Sequence, residues 1–332
     1  MSQQGNILTG AHRELPTSTL GTPAVMRSRL MLEVACELVA EEDWDERQAR
    51  IQFRRQGDKD WNVCLFGSDA PAAVDAVASG EAQFAIVNPG AILAMALRGS
   101  GPFKQPVPVR AVTVLPQFDQ FGFVVLANTG LTSVEEIRDK RYPLRLSLRG
   151  QPDHSIHTFV DQVFSVMGFS LEDLVSWGGK ISYDRGMPWQ RMGGLATGEI
   201  QAIFDEALPW WADRAIAAGM RFLSIGEPYL TQLEAAGMRK VLITREEYPQ
   251  LEADVPTVDF SGWPVFCLES TPDAKVRAFC AALETRKANI PWDGEGPLRL
   301  DLMCQDTREA PMMIPLHPAA KQFWTERGYL PK

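Results

Sequence analysis

The stretch VRAVTVLPQFDQFGFVVLA, residues 109–127, decides the fold. Its two ends are apolar and β-rich, and the polar and aromatic residues between them leave little room for a helix. The segment therefore reads as the chain crossing from one lobe to another. On either side, strand-like and helix-like stretches alternate, which favours parallel sheets joined by crossover helices.

Upstream, residues 26–41 place Leu30, Val34 and Leu38 on one helical face. A strand follows over 51–55. The spacing then predicts a helix over 69–80, capped by Asp69 and stopped by Gly80. Residues 83–87 form a buried strand that ends at Asn88-Pro89-Gly90. Downstream the pattern repeats: a strand over 144–148, a loop over 149–155, and an amphipathic helix over 156–167 ending at Gly168. A helix over 188–198 and a strand over 201–204 come next, the latter opening onto Asp205 and Glu206. The β-rich segment 255–268 returns the chain, and a helix over 272–287 and the tail 314–330 close the first lobe. The expected fold is α/β and two-lobed, each lobe a mostly parallel sheet flanked by helices, with a ligand cleft between. Lobe 1 takes residues 1–117 and 257–332, lobe 2 takes 118–256, and the crossings fall near 115–122 and 255–264.

The bulk numbers agree. A chain of 332 residues is long for one compact domain, and 45% hydrophobic content supplies two cores. The formal net charge of −9 argues against a nucleic-acid surface. The five cysteines show no CxxC or Cys/His spacing, so no metal is expected and they read as buried apolar residues of a reduced compartment. No basic segment followed by an apolar run opens the chain, and no stretch approaches the roughly 20 apolar residues of a membrane span. The expectation is a cytoplasmic protein as written, periplasmic if a leader has been trimmed.

Three segments carry a resemblance. Ala78–Val87 (ASGEAQFAIV) is similar to a strand-forming segment of periplasmic solute receptors, and Thr197–Phe204 (TGEIQAIF) to its counterpart in their second lobe. The tail Ile314–Gly328 (IPLHPAAKQFWTERG) resembles the ending of TAXI receptors that serve TRAP transporters. Gln83 and Gln201 stand where those receptors usually carry Asp. The resemblance implies a type II periplasmic-binding-protein-like fold, a small-molecule ligand and a membrane transporter subunit as partner.

Site candidates follow from the rule that ligands lie beyond the carboxyl ends of strands in open α/β sheets. That rule selects residues 17–19, Asn88 and the crossing residues 117–120 in the first lobe, with Thr19 and Gln117 foremost. In the second it selects residues 149–155, Arg149, His154 and Ser155 included, with Asp205 and Glu206. Arg149 leads, because a guanidinium fork grips a carboxylate through two parallel bonds and the helix amides after it add a positive field. Pairing with Asp153 on the surface is its plain alternative. His154 and His157 lack a third metal ligand, so a hydrogen-bonding loop residue and a packed helix residue are the simpler readings. Asp205 and Glu206 suit a ligand hydroxyl or amine, or a helix cap. Trp210 and Trp211 supply either an apolar cleft wall or core packing. Gly262 reads as a hinge position and His317 as the start of the tail helix.

Two functions fit. One is a solute-binding protein closing on a small organic anion, a carboxylate or dicarboxylate, without cofactor. The other is a cytosolic decarboxylase, lyase or hydrolase on the same fold, with His154 and Asp205 or Glu206 as acid and base; a third reading, a structural or interaction protein that has lost binding, has neither function. Gly-x-Ser-x-Gly, Walker-A and Gly-x-Gly-x-x-Gly patterns are absent, which disfavours the common hydrolase and nucleotide chemistries.

Overall fold

A computed structural model of the chain describes residues 23–40, 48–55, 57–68 and 70–331. Helix α1 (Pro23–Ala40) precedes the hairpin β1 (Ala49–Arg55) and β2 (Asp58–Gly67). Then come α2 (Ala72–Ala78), β3 (Phe84–Ile86), α3 (Ala91–Arg98) and β4 (Val109–Leu115). After the crossing lie β5 (Gly122–Leu126), α4 (Glu135–Asp139), β6 (Arg145–Arg149) and α5 (Ser155–Met167). Next are α6 (Leu171–Ser176), β7 (Lys180–Asp184), α7 (Pro188–Arg191) and α8 (Gly193–Thr197). Strand β8 (Ala202–Asp205), α9 (Leu208–Ala217), β9 (Met220–Phe222) and α10 (Glu227–Ala236) complete the second sheet and its helices. The return runs through β10 (Lys240–Ile243), β11 (Val255–Val258) and β12 (Trp263–Leu268) to α11 (Asp273–Arg286), α12 (Leu300–Met303) and α13 (Pro318–Glu326).

The strands form two five-stranded sheets, in the orders β1-β2-β3-β12-β4 and β7-β6-β8-β5-β9, and β10 pairs β11 separately. In the first, β2 is parallel to β3, while β12 is antiparallel to both β3 and β4. In the second, β6 is parallel to β7 and β8, while β5 is antiparallel to β8 and β9. The reversed strands β5 and β12 are the first strands each sheet receives after a crossing. Such a strand arrives from the side facing the other sheet and must run away from it. The parallel strands therefore all run toward the junction, and the loops after β2, β3, β4, β6, β7 and β8 converge there.

Two crossing segments lie side by side. Phe121 N donates to Val258 O at 3.0 Å, Phe260 N to Asp119 O at 3.1 Å and Gly262 N to Gln117 O at 2.8 Å. The Ser261 hydroxyl ties them further, accepting from Asp119 N at 2.8 Å and donating to Asp259 at 2.7 Å. Gly262 has φ +77°, and a Cβ there would come within 2.7 Å of Pro311. Only glycine fits this close approach without strain.

One apolar cluster runs through the junction, combining Ile92 and Met95 of α3 with Phe121, Phe260, Phe159, Leu230 and Leu233. The carboxyl ends of α3 and α10 dock on each other: Arg98 donates to Glu234 O and, at 2.9 Å, to Ala235 O, and the Ser100 hydroxyl donates to Ala236 O. A second cluster packs Val112 and Cys267 under α11 and α13, where Trp324 Nε1 donates to Val112 O at 2.8 Å. His317 begins α13 and caps it, Nδ1 accepting from Ala319 N at 3.2 Å.

Some expectations shift. Asp69, proposed as a cap, lies outside the described residues, and the helix begins at Ala72. The 188–198 helix is two short ones, α7 and α8. Leu30, Val34 and Leu38 of α1 are exposed. All five cysteines are free; four are buried, and burial pushes the thiols of Cys267 and Cys304 up to about 12. Among the described residues no helix is long and apolar enough to cross a membrane.

Candidate functional site

Strand alternation and register assemble a charged cluster at the junction end of the second sheet. On β6, Leu146 and Leu148 face the core while Ser147 and Arg149 point the other way. The register pairs Arg149 with Asp184 on β7 and Ser147 with Ile203 on β8, so Arg149 ends beside Asp205. Arg149 Nη2 donates to Asp205 at 2.7 Å and to Glu206, and Nη1 lies 3.1 Å from His154 Nε2. Arg191, from α7, grips the other Asp205 oxygen and donates to Ser147 Oγ at 3.0 Å, which donates to Asp184 at 2.8 Å. The ion-paired side chains of Arg149, Asp205, Glu206 and Arg191 are all buried.

The cluster is wired to the crossing through Asp119. Its carboxyl is fully buried and accepts from the backbone amides of Ala207 at 2.7 Å, Leu208 at 3.3 Å and Gln120 at 2.7 Å. Burial, and then the neighbouring Glu206 carboxylate, push Asp119 well above the ordinary carboxyl range. Burial alone would lower Arg149, but Asp205 and Glu206 outweigh it and hold its pKa up. Arg191 is lowered, by burial first and with Arg149 adding to it. The site thus holds two guanidiniums against the carboxylates of Asp205, Glu206 and Asp184, with Asp119 disposed to keep its proton.

Of the residues selected from sequence, Arg149, His154, Asp205 and Glu206 come together, and Ser155 begins the adjoining helix. Arg149 binds these strand-end carboxylates and not Asp153, because its strand aims it across the sheet. The amide field expected at the start of α5 is partly consumed, since His154 Nδ1 accepts from Ile156 N at 3.2 Å. The His154 ring lies parallel to Phe260 of the crossing, 6.4 Å between centroids, and His157 Nε2 lies 2.8 Å from Gln151 O. Asp205 does not cap the following helix; Asp119 takes that place. Trp210 is 70% exposed and packs into neither cleft nor core, whereas Trp211 is buried and donates to Glu206 O at 2.8 Å. Thr19 lies outside the described residues. Asn88 and Gln117 stand on the first sheet, at its junction end. Among the described residues no group of three or more His, Cys, Asp or Glu could hold a metal ion.

Sequence reasoning passed over Ser147, Asp184, Arg191 and Trp263, and reached Asp119 only as one of the crossing residues 117–120. Strand alternation could have found Ser147, two residues before Arg149. Arg191 sits on a one-turn helix, and no local signal marks it.

The structure is similar to several solved binding proteins. One is the alkanesulfonate-binding protein SsuA of Xanthomonas axonopodis pv. citri bound to MOPS, at 16% identity, covering 50% of this chain and 58% of that one with a TM-score of 0.29. Another is the periplasmic aliphatic sulphonate binding protein SsuA of Escherichia coli, at 13% identity, 65% and 57% coverage and a TM-score of 0.32. A third is lactococcal OpuAC in its closed-liganded conformation with glycine betaine, at 11% identity, 78% and 82% coverage and a TM-score of 0.33. The chain thus spans under two thirds of the length of the two sulfonate-binding proteins. Comparison with curated proteins gave no match. The architecture itself is α/β, two five-stranded sheets flanked by helices and joined by a pair of crossing segments. Residues 67–328 match the NMT1-like family, and the chain belongs to that family.

Proposed function

We propose that this protein is a solute-binding protein that holds a small organic molecule between its lobes and hands it to a membrane transporter, with lobes divided as 1–117 plus 257–332 and 118–256. The observation that carries this reading is the convergence of Arg149, His154, Asp205 and Glu206 at the strand ends facing the crossing, with Asp119 of the crossing bonded to Ala207 and Leu208. A group that binds there contacts the element that must flex when lobes close, so binding and closure are coupled. Partnership with a TRAP-type membrane subunit is supported by the TAXI-like tail sequence.

The ligand on this reading bears a carboxylate that meets Arg149 beside His154. It competes there with Glu206, whose carboxylate occupies the same guanidinium nitrogen that Asp205 uses. Exchange of one carboxylate for another keeps the buried charge balance, which bare insertion of an anion would upset. The test is a thermal-shift and calorimetric screen of small carboxylic acids. A ligand at about 100 times its Kd stabilises the folded chain by about 2.7 kcal/mol. Arg149→Lys keeps the compensating charge but loses the fork, so it should fold and lose the shift. An unchanged shift in that variant removes Arg149 from the site, and no shift from any acid in the unmodified protein removes the carboxylate reading.

A further inference from the structure

The junction end of the first sheet carries three lone polar groups. β3, β12 and β4 are neighbours. Asn88 lies just past β3, Trp263 begins β12, and Gln117 lies just past β4. Val87 N donates to Pro264 O at 3.3 Å, Trp263 pairs with Leu115 across β12 and β4, and Gly262 N donates to Gln117 O at 2.8 Å. The three residues therefore sit at adjoining positions on three adjacent strands, at the end where the loops of both sheets converge.

Asn88 Oδ1, Gln117 Oε1 and Trp263 Nε1 are buried, and none has a hydrogen-bond partner among the described residues. Arg149 Nε and Arg191 Nε of the second sheet's cluster are also buried without a partner among the described residues, whereas on the first sheet's side Thr113 Oγ1 donates to Met303 O at 3.0 Å, and in the return crossing Thr257 Oγ1 donates to Phe121 O at 2.7 Å. Folded chains pair buried polar atoms, and a group left alone bears its full desolvation penalty. Three such atoms at one sheet end, two acceptors and one donor, need partners from beyond the described residues.

We infer that Asn88, Gln117 and Trp263 form the first lobe's half of the ligand site and that they take a primary carboxamide or a group of the same donor and acceptor pattern. A carboxamide offers two N–H donors, one for each amide oxygen, and one carbonyl acceptor for the indole N–H. A carboxylate offers acceptors only, and would leave both amide oxygens facing like partial charge. The charged end of the solute then belongs to the second lobe and the neutral end to the first. This deepens the solute-binding reading and rests on it.

Two measurements test the inference. In the first, unliganded Gln117→Met and Asn88→Leu are melted beside the unmodified protein. Each replaces an unpaired buried acceptor with an apolar group of similar shape, so both should melt higher, by about 2 °C or more. Among the described residues, the side-chain hydrogen bond that Gln117→Met gives up is a long one, 3.4 Å to Phe118 O. Lower melting temperatures in both variants would mean that ordered water or the fold itself uses these groups, and would overturn the inference. In the second, succinamate and succinate are compared as probes. Succinamate should raise the melting temperature more, and Trp263→Phe and Gln117→Met should erase the difference. Equal shifts from both probes, persisting in the variants, would overturn the carboxamide assignment while leaving the solute-binding reading intact. Failure of both probes on the unmodified protein would count against the carboxylate reading, and the unliganded melts would still decide the role of the three residues.

Discussion

Arg149 sits in a buried exchange of charge with Asp205, Glu206 and, through Asp205, Arg191. Removing one partner from such a set strands the others without water or counter-charge. Arg149→Ala should therefore cost about 3–5 kcal/mol, read from urea unfolding; a loss under about 1 kcal/mol, the range of exposed pairs, would show the cluster to be solvated. Asp119 makes a second prediction, with a definite sign. Its pKa is raised, by burial first and Glu206 second, so the folded chain keeps a proton that the unfolded chain releases near about pH 4. The stability tied to this group is fully present below that pH and falls as pH rises toward the folded value. Unfolding at about pH 5 and about pH 8 should favour the unmodified protein over Asp119→Asn more at the lower pH. A pH-independent difference would mean that Asp119 is ionised in the fold. Arg149, Asp205 and Glu206 were legible as candidates because they follow strands directly. Their mutual pairing was not, since Arg149 and Asp205 lie on different strands and meet only through register.

The elements themselves were the most legible layer. Gly168 and Gly198 stop helices as glycine does, each in the left-handed region, and His317 begins the tail helix. What local pattern missed was where elements dock. Gly237 ends α10 with φ +117°, and a Cβ there would stand 2.8 Å from Met95 N on α3. Nothing in the sequence around 237 announces a partner near 95. Gly237→Ala should lower stability by more than about 1 kcal/mol and loosen the α3–α10 contact, seen as faster amide exchange in both helices. Unchanged exchange in α3 would show that the two helices do not depend on each other. Trp210 is the converse case. Its apolar character suited burial, but the start of α9 turns Trp211 inward to donate to Glu206 O and leaves Trp210 outside.

At the scale of the molecule, β12 lies between β3 and β4 although about 150 residues of chain, including the whole second sheet, separate it from β4. Truncation after residue 256 deletes that central strand together with α11 and α13. The fragment should lose fixed near-ultraviolet dichroism and cooperative melting for the first sheet; a cooperative, native-like fragment would contradict the interleaved topology. By itself the sequence determined several of the strands and helices, β3, β6, α5 and β8 among them though not β2, β7 or α10, that the chain crosses between two sheets, and which residues end those strands, because periodicity, glycine stops and the lack of a helix between 109 and 127 are local properties. Only the tertiary structure decided that Arg149 is compensated by Asp205 and Glu206, that Asp119 links them to the crossing, and that Asn88, Gln117 and Trp263 share one sheet end. Those relations depend on strand order and register, which join residues distant in sequence by burying apolar faces in common and leave no mark on either segment alone.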